Sequence, residues 1–328
     1  MSTLAERDIT IARCEEPSGG TLAQDVRAGL GRPPGEREVP PKHLYDERGS
    51  QLFDRITRLP EYYPTRCERA ILNRQAPGLV ETTGARELVE LGSGTASKTR
   101  ALLYAMAGAG ALDRYVPFDV DPSVVEKCAH ELTDLYPGLR VHGVVGDFGR
   151  DLAQVPDGDR RLVAFLGSTI GNLMPDTRAR FLGDVRAMMG PGDRFLLGTD
   201  LLKDVAVLEA AYNDSEGVTA AFNLNLLRVL NRELGADFDL DAFEHVAAFD
   251  RDRSWVELSL RAQAEQHVRI PGAGLELTLA RGEAIRTEVS TKFTLDVLAR
   301  ELGAAGMELE AFFTDPAGMF GLTLASPV

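Results

Sequence analysis

The glycine turn ELGSGTASKT, residues 90–99, is the first part of this chain whose residue types could carry chemistry. Gly92 and Gly94 have no side chains, so a bound molecule can approach the backbone closely there. An aspartate ends each of the next two apolar runs, Asp119 in YVPFDV and Asp147 in VHGVVGD. If these runs are parallel strands, their carboxyl ends lie at one edge of a sheet, where such sheets bind ligands. The pattern therefore predicts a small-molecule site at that edge.

Two ligands compete for this turn, a dinucleotide and S-adenosylmethionine. The dinucleotide fingerprint has a third glycine where this chain has Ser97, and its pyrophosphate needs a helix N-terminus without the nearby carboxylate of Glu90. A sulfonium-bearing amino acid has no phosphate and tolerates that carboxylate. Asp119 is placed to hold a ribose diol, and Asp147 with Phe148 to contact a purine. We therefore predict S-adenosylmethionine as the cofactor, with ordinary turn roles for both aspartates as the alternative.

The elements that must position these residues alternate regularly along the chain. Apolar runs alternate with amphipathic segments up to Asp200, which predicts βαβ units and a doubly wound parallel sheet. Ser97 and Thr99 are expected to cap the helix after the turn. Beyond Asp200 a helical stretch and alternating β patterns follow, and the Gly- and Pro-rich arm 29–50 is expected to pack on them. Strands are expected at residues 87–91, 115–120, 141–147, 161–168 and 194–200.

These patterns predict an α/β fold of the class I methyltransferase type, Rossmann-like, with an inserted α+β substrate-binding domain. The methyltransferase domain is expected over residues 65–200 and 290–328. The N-terminal arm and the insertion, residues 1–64 and 201–289, are expected to form the substrate-binding domain.

The amino-acid composition limits the classes of partner that the protein is expected to bind. With 36 basic and 50 acidic residues the net charge is −14, which opposes binding to the phosphates of nucleic acid. No apolar stretch is long enough to span a membrane, and the N-terminus lacks the apolar segment of a secretion signal. Three widely spaced cysteines and five histidines show no metal-ligand or disulfide spacing. We expect a cytoplasmic monomer that binds a small molecule, without a metal.

Several long blocks resemble the L-histidine Nα-methyltransferase family of ergothioneine biosynthesis. The similarity covers nearly the whole chain. It rests on the glycine turn and on KHLYDERGSQLFDRITRLPEYYPTRCERAIL (42–72), PFDVDPS (117–123), GDF (146–148), FLGSTIGNL (165–173), TEVSTKF (287–293) and FFTDPAGMFGLTLA (312–325). The resemblance implies transfer of three methyl groups from S-adenosylmethionine to the α-amine of L-histidine, which gives hercynine.

The resemblance also implies two sets of site residues. The cofactor set is Gly92, Lys98, Asp119, Asp147 and Phe148, with Tyr45 reaching in from the arm. The substrate set is Tyr62, Gly167, Asn172, Tyr212, Glu288 and Ser290, with Tyr62 and Asn172 positioning the substrate. Leu258 stands at a position that faces the substrate side chain in the family, where relatives carry methionine.

The chemistry of L-histidine suits these residue types. Glu288 and Ser290 are two residues apart, so on a strand they project from one face and together bond both imidazole nitrogens. Tyr62 and Tyr212 offer hydroxyl donors to the carboxylate without a positive charge, which would oppose the sulfonium of the cofactor and the quaternary ammonium of the product. Asn172 offers an amide with both donors and an acceptor.

Three alternatives stay open at the level of the residues. Glu288 and Ser290 also fit the solvent face of an antiparallel strand, Tyr62 and Tyr63 fit an ordinary core, and Asn172 fits a turn after Gly171. An N-methyltransferase of the same fold acting on another small amino acid or a tryptophan-like amine is the second functional hypothesis. A cofactor-binding module without catalysis is the third. No dedicated general base is identified.

Overall fold

The computed structural model describes residues 8–14, 21–94 and 96–328. Residues 1–7 and 15–20, which belong to the arm of the predicted substrate-binding domain, and Thr95 of the glycine turn lie outside the described residues. The chain divides into two compact units. The first unit takes in the described residues of 1–15, 66–201 and 293–328, and the second those of 16–65 and 202–292.

The described residues form strands and helices in the following order. The strands are β1 Ile9–Arg13, β2 Glu87–Leu91, β3 Arg114–Asp119, β4 Arg140–Val145, β5 Arg161–Phe165, β6 Arg194–Asp200, β7 Phe243–Asp250, β8 Trp255–Ala262, β9 Gln266–Ile270, β10 Leu275–Leu279, β11 Ala284–Thr291, β12 Met307–Thr314 and β13 Phe320–Pro327. The helices are α1 Leu22–Leu30, α2 Glu47–Ile56, α3 Pro64–Thr83, α4 Arg100–Gly108, α5 Pro122–Leu135, α6 Pro175–Met188, α7 Val205–Tyr212, α8 Val218–Leu234 and α9 Leu295–Ala304.

The first unit is built on one sheet with the strand order β1-β4-β3-β2-β5-β6-β13-β12. The strands from β1 to β6 pair in parallel, whereas β13 is antiparallel to both β6 and β12. Apolar clusters cover both faces, which is why the central strands are continuous apolar runs. This order confirms the predicted doubly wound α/β fold of the class I methyltransferase type.

The register of the central strands brings their carboxyl ends level. Leu91 of β2 pairs with Phe118 of β3 and with Phe165 of β5. The glycine turn, Asp119 and the loop after β5 therefore start from one edge of the sheet.

Strand β1 belongs to the first unit and not, as predicted, to the substrate-binding domain. The sequence pattern assigns residues 1–64 to the substrate-binding domain, but Ile9–Arg13 pairs in parallel with β4, from Ile9 beside Val141 to Arg13 beside Val145. The five-residue alternation is short, and its partner strand lies about 130 residues further along the chain, so local patterning does not reveal the pairing.

The second unit is an α+β structure. Strands β7, β8 and β11 form an antiparallel sheet in which β8 is central, and β9 and β10 form a hairpin. The arm packs on α8, since Asp46, which caps α2, accepts hydrogen bonds from Asn225 at 2.7 Å and from Arg232 at 2.9 Å. Within the described part of the chain, no helix is both long and apolar enough to cross a membrane.

Candidate active site

The glycine turn between β2 and α4 has an unusual backbone. Gly92 and Gly94 have φ of +70° and +47°, and Ala96 has φ of +51°, so all three are left-handed. A Cβ added to Gly92 or Gly94 would meet no heavy atom within 4 Å. The glycines supply a conformation that other residues adopt only at a cost, and they leave open space over the backbone. Both properties suit close approach of a ligand.

Glu90 lies beneath this turn and is only 4% exposed. Its carboxylate accepts hydrogen bonds from the hydroxyl of Thr99 and, at 2.5 Å, from that of Tyr115. Burial raises the pKa of Glu90 to about 7. The predicted capping by Ser97 and Thr99 is wrong: Thr99 occupies the N-cap position of α4 without a side-chain cap, because its hydroxyl serves the buried carboxylate.

Asp119, at the end of β3, is tied to the glycine turn. Its carboxylate accepts from the amide of Gly94 at 2.8 Å and from that of Asp121 at 3.1 Å. Burial raises its pKa. Asp147 accepts from the amide of Gly149 at 2.9 Å. Both aspartates therefore serve as turn residues, the role that the sequence left open as the alternative.

Phe148 follows Asp147 and stacks edge-on against two core rings. Its centroid lies 5.2 Å from that of Phe165 and 5.6 Å from that of Phe181. Phe165 and Phe181 are buried, whereas Phe148 is half-buried. These contacts hold the Phe148 ring in place after β4.

Lys98 is held by a buried carboxylate that sequence patterns did not single out. Its Nζ lies 2.6 Å from Oε2 of Glu68, which is fully buried on α3. Oε1 of Glu68 accepts from the amide of Gly167 at 2.7 Å. A Cβ on Gly198 would lie 2.1 Å from the same Oε1, so a glycine is required there. Glu68 thereby joins the glycine turn to the loop after β5. In the sequence, the only indication of this role was a glutamate on an otherwise apolar face of a helix.

The loop after β5 has consecutive left-handed residues. Gly167 has φ of +80° and Ser168 has φ of +58°. Ser168 is held in this conformation because its hydroxyl accepts from the amide of Asp200 at 2.9 Å. A left-handed serine costs about 1 kcal/mol, and such strain concentrates at functional sites. The loop ends in a 3-10 turn, Thr169–Asn172, which leaves Asn172 half-buried.

In the second unit, a lysine joins two predicted substrate residues. The hydroxyls of Tyr212 and Ser290 lie 2.8 Å apart, and Nζ of Lys292 lies 2.8 Å from each. Lys292 follows β11 on the same side as Ser290 and places a cation beside the Tyr212 hydroxyl. The alternation that pointed to Glu288 and Ser290 extends to residue 292 and could have indicated it.

Glu288 lies near these residues with its carboxylate available. The pKa of Glu288 is raised to about 7 by burial, partly offset by the charge of Lys292, and its carboxylate accepts no hydrogen bond from any described residue. Directly across the strand pair stands Leu258, which is buried. Ser290 is only 3% exposed, so it does not lie on a solvent face as the alternative interpretation requires.

Tyr45 lies among the predicted substrate residues rather than apart from them. Burial raises its pKa well above the ordinary value, with Glu288, Tyr62 and Tyr212 as further contributors. Tyr62 packs its ring 6.1 Å from that of Tyr212, and Tyr63 is buried in the core. The arm packs on α8, where Phe222 lies 5.3 Å from the Tyr45 ring.

The predicted residues thus fall into two groups. The first unit holds Gly92, Lys98, Asp119, Asp147, Phe148, Gly167 and Asn172 along one edge of the sheet. The second unit holds Tyr45, Tyr62, Tyr212, Glu288 and Ser290.

Comparisons with known proteins identify the family of this chain. Residues 22–327 match the sequence model described as a SAM-dependent, histidine-specific methyltransferase. The chain is 53% identical to the histidine N-alpha-methyltransferase of Mycolicibacterium smegmatis, over 93% of this chain and 94% of the relative. It is 50% identical to the Mycobacterium tuberculosis protein of the same name, with the same coverage. Ergothioneine biosynthesis protein 1 of Neurospora crassa is 38% identical over 61% of this chain and 23% of the relative. The chain is a methyltransferase that belongs to the SAM-dependent, histidine-specific family.

Proposed function

We propose that this enzyme transfers three methyl groups from S-adenosylmethionine to the α-amine of L-histidine, which yields hercynine in the first step of ergothioneine biosynthesis. The observation that carries the proposal is the 53% identity, over 93% of the chain, to a protein named histidine N-alpha-methyltransferase. The placement of Glu288 and Ser290 on one strand, beside buried tyrosines, supports it independently.

The cofactor residues proposed are Gly92, Lys98, Asp119, Asp147 and Phe148. S-adenosylmethionine supplies an electrophilic methyl group on a sulfonium when it is bound. The open, left-handed turn allows close backbone approach, and Asp119 offers its carboxylate at the end of β3. The positive charge of Lys98 is neutralised by Glu68 at 2.6 Å, so it does not oppose a sulfonium.

The substrate residues proposed are Tyr62, Gly167, Asn172, Tyr212, Glu288 and Ser290. Gly167 and Asn172 belong to the strained loop after β5, and Asn172 has an amide suited to the amine and carboxylate of an amino acid. Tyr62 and Tyr212 are proposed to serve the same end of the substrate, with Tyr62 and Asn172 as positioning residues. Tyr45 stays proposed as the cofactor residue of the arm, as the resemblance implies.

Glu288 and Ser290 are proposed to bind the imidazole. A carboxylate that accepts no other hydrogen bond favours a side chain bearing an N–H, and it disfavours an isostere that leaves the carboxylate unpaired. Leu258 is opposite Glu288 and would limit the width of the ring that fits.

The residues promote the transfer mainly by alignment. The reaction is an in-line displacement that needs a neutral amine with its lone pair directed at the methyl carbon. Each of the first two methylations leaves an ammonium that must lose a proton before the next. Tyrosine hydroxyls beside the amine can pass that proton to solvent.

A second candidate is methyl transfer to another small amino acid or to a tryptophan-like amine. Glu288 discriminates between the candidates, because an indole needs a smaller and more apolar partner at that place. The proposal also places the enzyme in the cytoplasm as a monomer. Free thiols at Cys14 and Cys128 support a reducing compartment.

A substrate panel tests the proposal. We expect methyl transfer to L-histidine with a kcat/KM well above that for L-tryptophan. Glu288→Gln replaces a charged acceptor by a neutral one, which lowers kcat/KM for L-histidine by about tenfold. Glu276→Gln, an exposed position on β10, is the matched control and should leave it unchanged. Transfer to tryptophan without transfer to histidine would move the assignment to the second candidate.

A further inference from the structure

His245 on β7 lies at the centre of a line of hydrogen bonds in the second unit that none of the assigned roles explains. Its Nε2 lies 2.8 Å from the backbone carbonyl oxygen of Tyr212, and its Nδ1 lies 2.9 Å from the side-chain nitrogen of Asn223. Asn223, on α8, is fully buried, and the same nitrogen donates to the backbone carbonyl of Ser259 on β8 at 3.1 Å. The line therefore connects the β8 backbone, through α8 and β7, to the end of α7.

The two backbone carbonyls at the ends of this line determine where its hydrogen atoms lie. A carbonyl oxygen only accepts, so Nε2 of His245 must carry the hydrogen that it shares with Tyr212. The Ser259 carbonyl likewise requires the nitrogen of the Asn223 amide, and not its oxygen, on that side, and this nitrogen also donates to Nδ1 of His245. His245 is therefore a neutral imidazole with its hydrogen on Nε2. Burial lowers its pKa, which agrees with the neutral form.

The carbonyl that His245 binds lies at the end of a helix. Tyr212 is the last residue of α7, and the last carbonyls of a helix have no partner within it. The next residue, Asn213, leaves the helical conformation with φ of −137° and ψ of 60°. His245 supplies a donor to the Tyr212 carbonyl, so it fixes the backbone at the point where the chain turns out of α7.

The side chain of Tyr212 is one of the proposed substrate groups. Its hydroxyl lies 2.8 Å from that of Ser290, and its ring centroid lies 6.1 Å from that of Tyr62. The hydroxyl is at the far end of the side chain, so a small rotation of the backbone at the helix end displaces it further than the rest of the residue. A hydrogen bond is made only over a narrow range of distances and angles. The contacts that the Tyr212 hydroxyl can make therefore depend on how its backbone is held.

We propose that His245, oriented by Asn223, is a positioning residue that fixes the backbone of Tyr212 and thereby places the Tyr212 hydroxyl for the substrate. This inference rests on the proposed function, since it assumes that Tyr212 binds L-histidine. His245 does not act on the substrate itself, because both of its ring nitrogens bind protein groups. Loss of His245 should weaken L-histidine binding and leave S-adenosylmethionine binding unchanged, because the line contains none of the proposed cofactor residues.

Steady-state kinetics of the whole enzyme at a pH of about 8, where an ordinary imidazole is neutral, test the proposal. His245→Phe keeps a ring but loses both hydrogen bonds, so it should raise the KM for L-histidine about fivefold and leave the KM for S-adenosylmethionine unchanged. His245→Gln has an amide that can donate to the Tyr212 carbonyl, so it should restore most of the loss. His267→Phe makes the same change at an exposed position on β9 and is the matched control, which should behave as the wild type.

A double-mutant cycle with Tyr212→Phe separates positioning from a general effect on the fold. If His245 acts through the Tyr212 hydroxyl, His245→Phe should lower kcat/KM for L-histidine about fivefold in the wild type but less than about twofold in Tyr212→Phe. An equal loss in both backgrounds would overturn the proposal, as would an equal rise in the KM values for L-histidine and S-adenosylmethionine.

Nitrogen NMR of the ¹⁵N-histidine-labelled enzyme at the same pH decides the question if His245→Phe does not fold. The signals of His245 are identified by their loss in His245→Gln. In the wild type they should show a hydrogen on Nε2 and none on Nδ1, and the opposite tautomer or two protonated nitrogens would overturn the proposal. Failure of the wild type to methylate L-histidine would overturn the proposed function itself, which distinguishes the two failures.

Discussion

Replacing Glu90 by glutamine should remove a defined part of the pH dependence of stability. Burial raises the pKa of Glu90 from an ordinary value of 4.5 to about 7. Because the folded-state pKa is the higher one, the associated stabilisation is complete below the unfolded pKa and is lost as the pH rises through about 7. With 1.36 kcal/mol for each pKa unit, the loss between pH of about 5.5 and about 8 is about 2 kcal/mol. Glutamine cannot ionise, so Glu90→Gln lacks this loss.

Urea unfolding at those two pH values provides the measurement. Circular dichroism is the suitable signal, because the single tryptophan, Trp255, lies in the second unit whereas Glu90 lies in the first. The wild type should lose about 2 kcal/mol more than Glu90→Gln as the pH rises. Glu308→Gln, at an exposed position on β12, should behave as the wild type. Equal pH dependence in the wild type and Glu90→Gln would refute the reasoning, since all other groups cancel in the comparison.

Three further variants or titrations test other contacts. Lys98→Met leaves the fully buried Glu68 without its cation, so the free energy of unfolding in urea should fall by about 3–5 kcal/mol, and adding Glu68→Gln should recover part of it. Burial lowers the pKa of His245, so the stability it contributes is present above a pH of about 6.5 and is lost as the pH falls through the folded pKa; its imidazole NMR signals should titrate below that value. Gly94→Ala places a methyl group in the open space over the turn and should weaken S-adenosylmethionine binding in calorimetry. Gly84 is also left-handed with open space around it, so Gly84→Ala should destabilise the fold by about 1–2 kcal/mol, as Gly94→Ala does, but should leave cofactor binding unchanged.

Much of the structure of the first unit could be predicted from the local sequence. Strand β2 and the glycine turn are contiguous, and a buried parallel strand needs a continuous apolar run, so the predicted strand 87–91 coincides with Glu87–Leu91. The acidic strand ends at Asp119 and Asp147 were predictable because parallel strands end at one sheet edge. Turn roles for both were the alternative that the sequence offered, but the bond from the Gly94 amide to Asp119 was not predictable, since the two residues are 25 positions apart.

The features that the sequence did not reveal depend on distant pairs. Glu68 contacts Gly167, 99 residues further on, and the Lys292 ammonium contacts Tyr212, 80 residues earlier. A charged residue in a sequence is ordinarily interpreted as a surface position, so the local pattern could indicate that Glu68 and Lys292 are buried but could not identify their partners. Thr99 illustrates the same limit, since its hydroxyl serves Glu90 rather than the helix end that its position suggests.

Structure determination of the reaction product tests the central claim most directly. The enzyme is incubated with L-histidine and methyl-labelled S-adenosylmethionine, and the product is analysed by mass spectrometry and NMR. We expect three labelled methyl groups, all on the α-nitrogen, with both imidazole nitrogens unmodified. Methyl groups on the ring, or no transfer to histidine while another amino acid is methylated, would contradict the account.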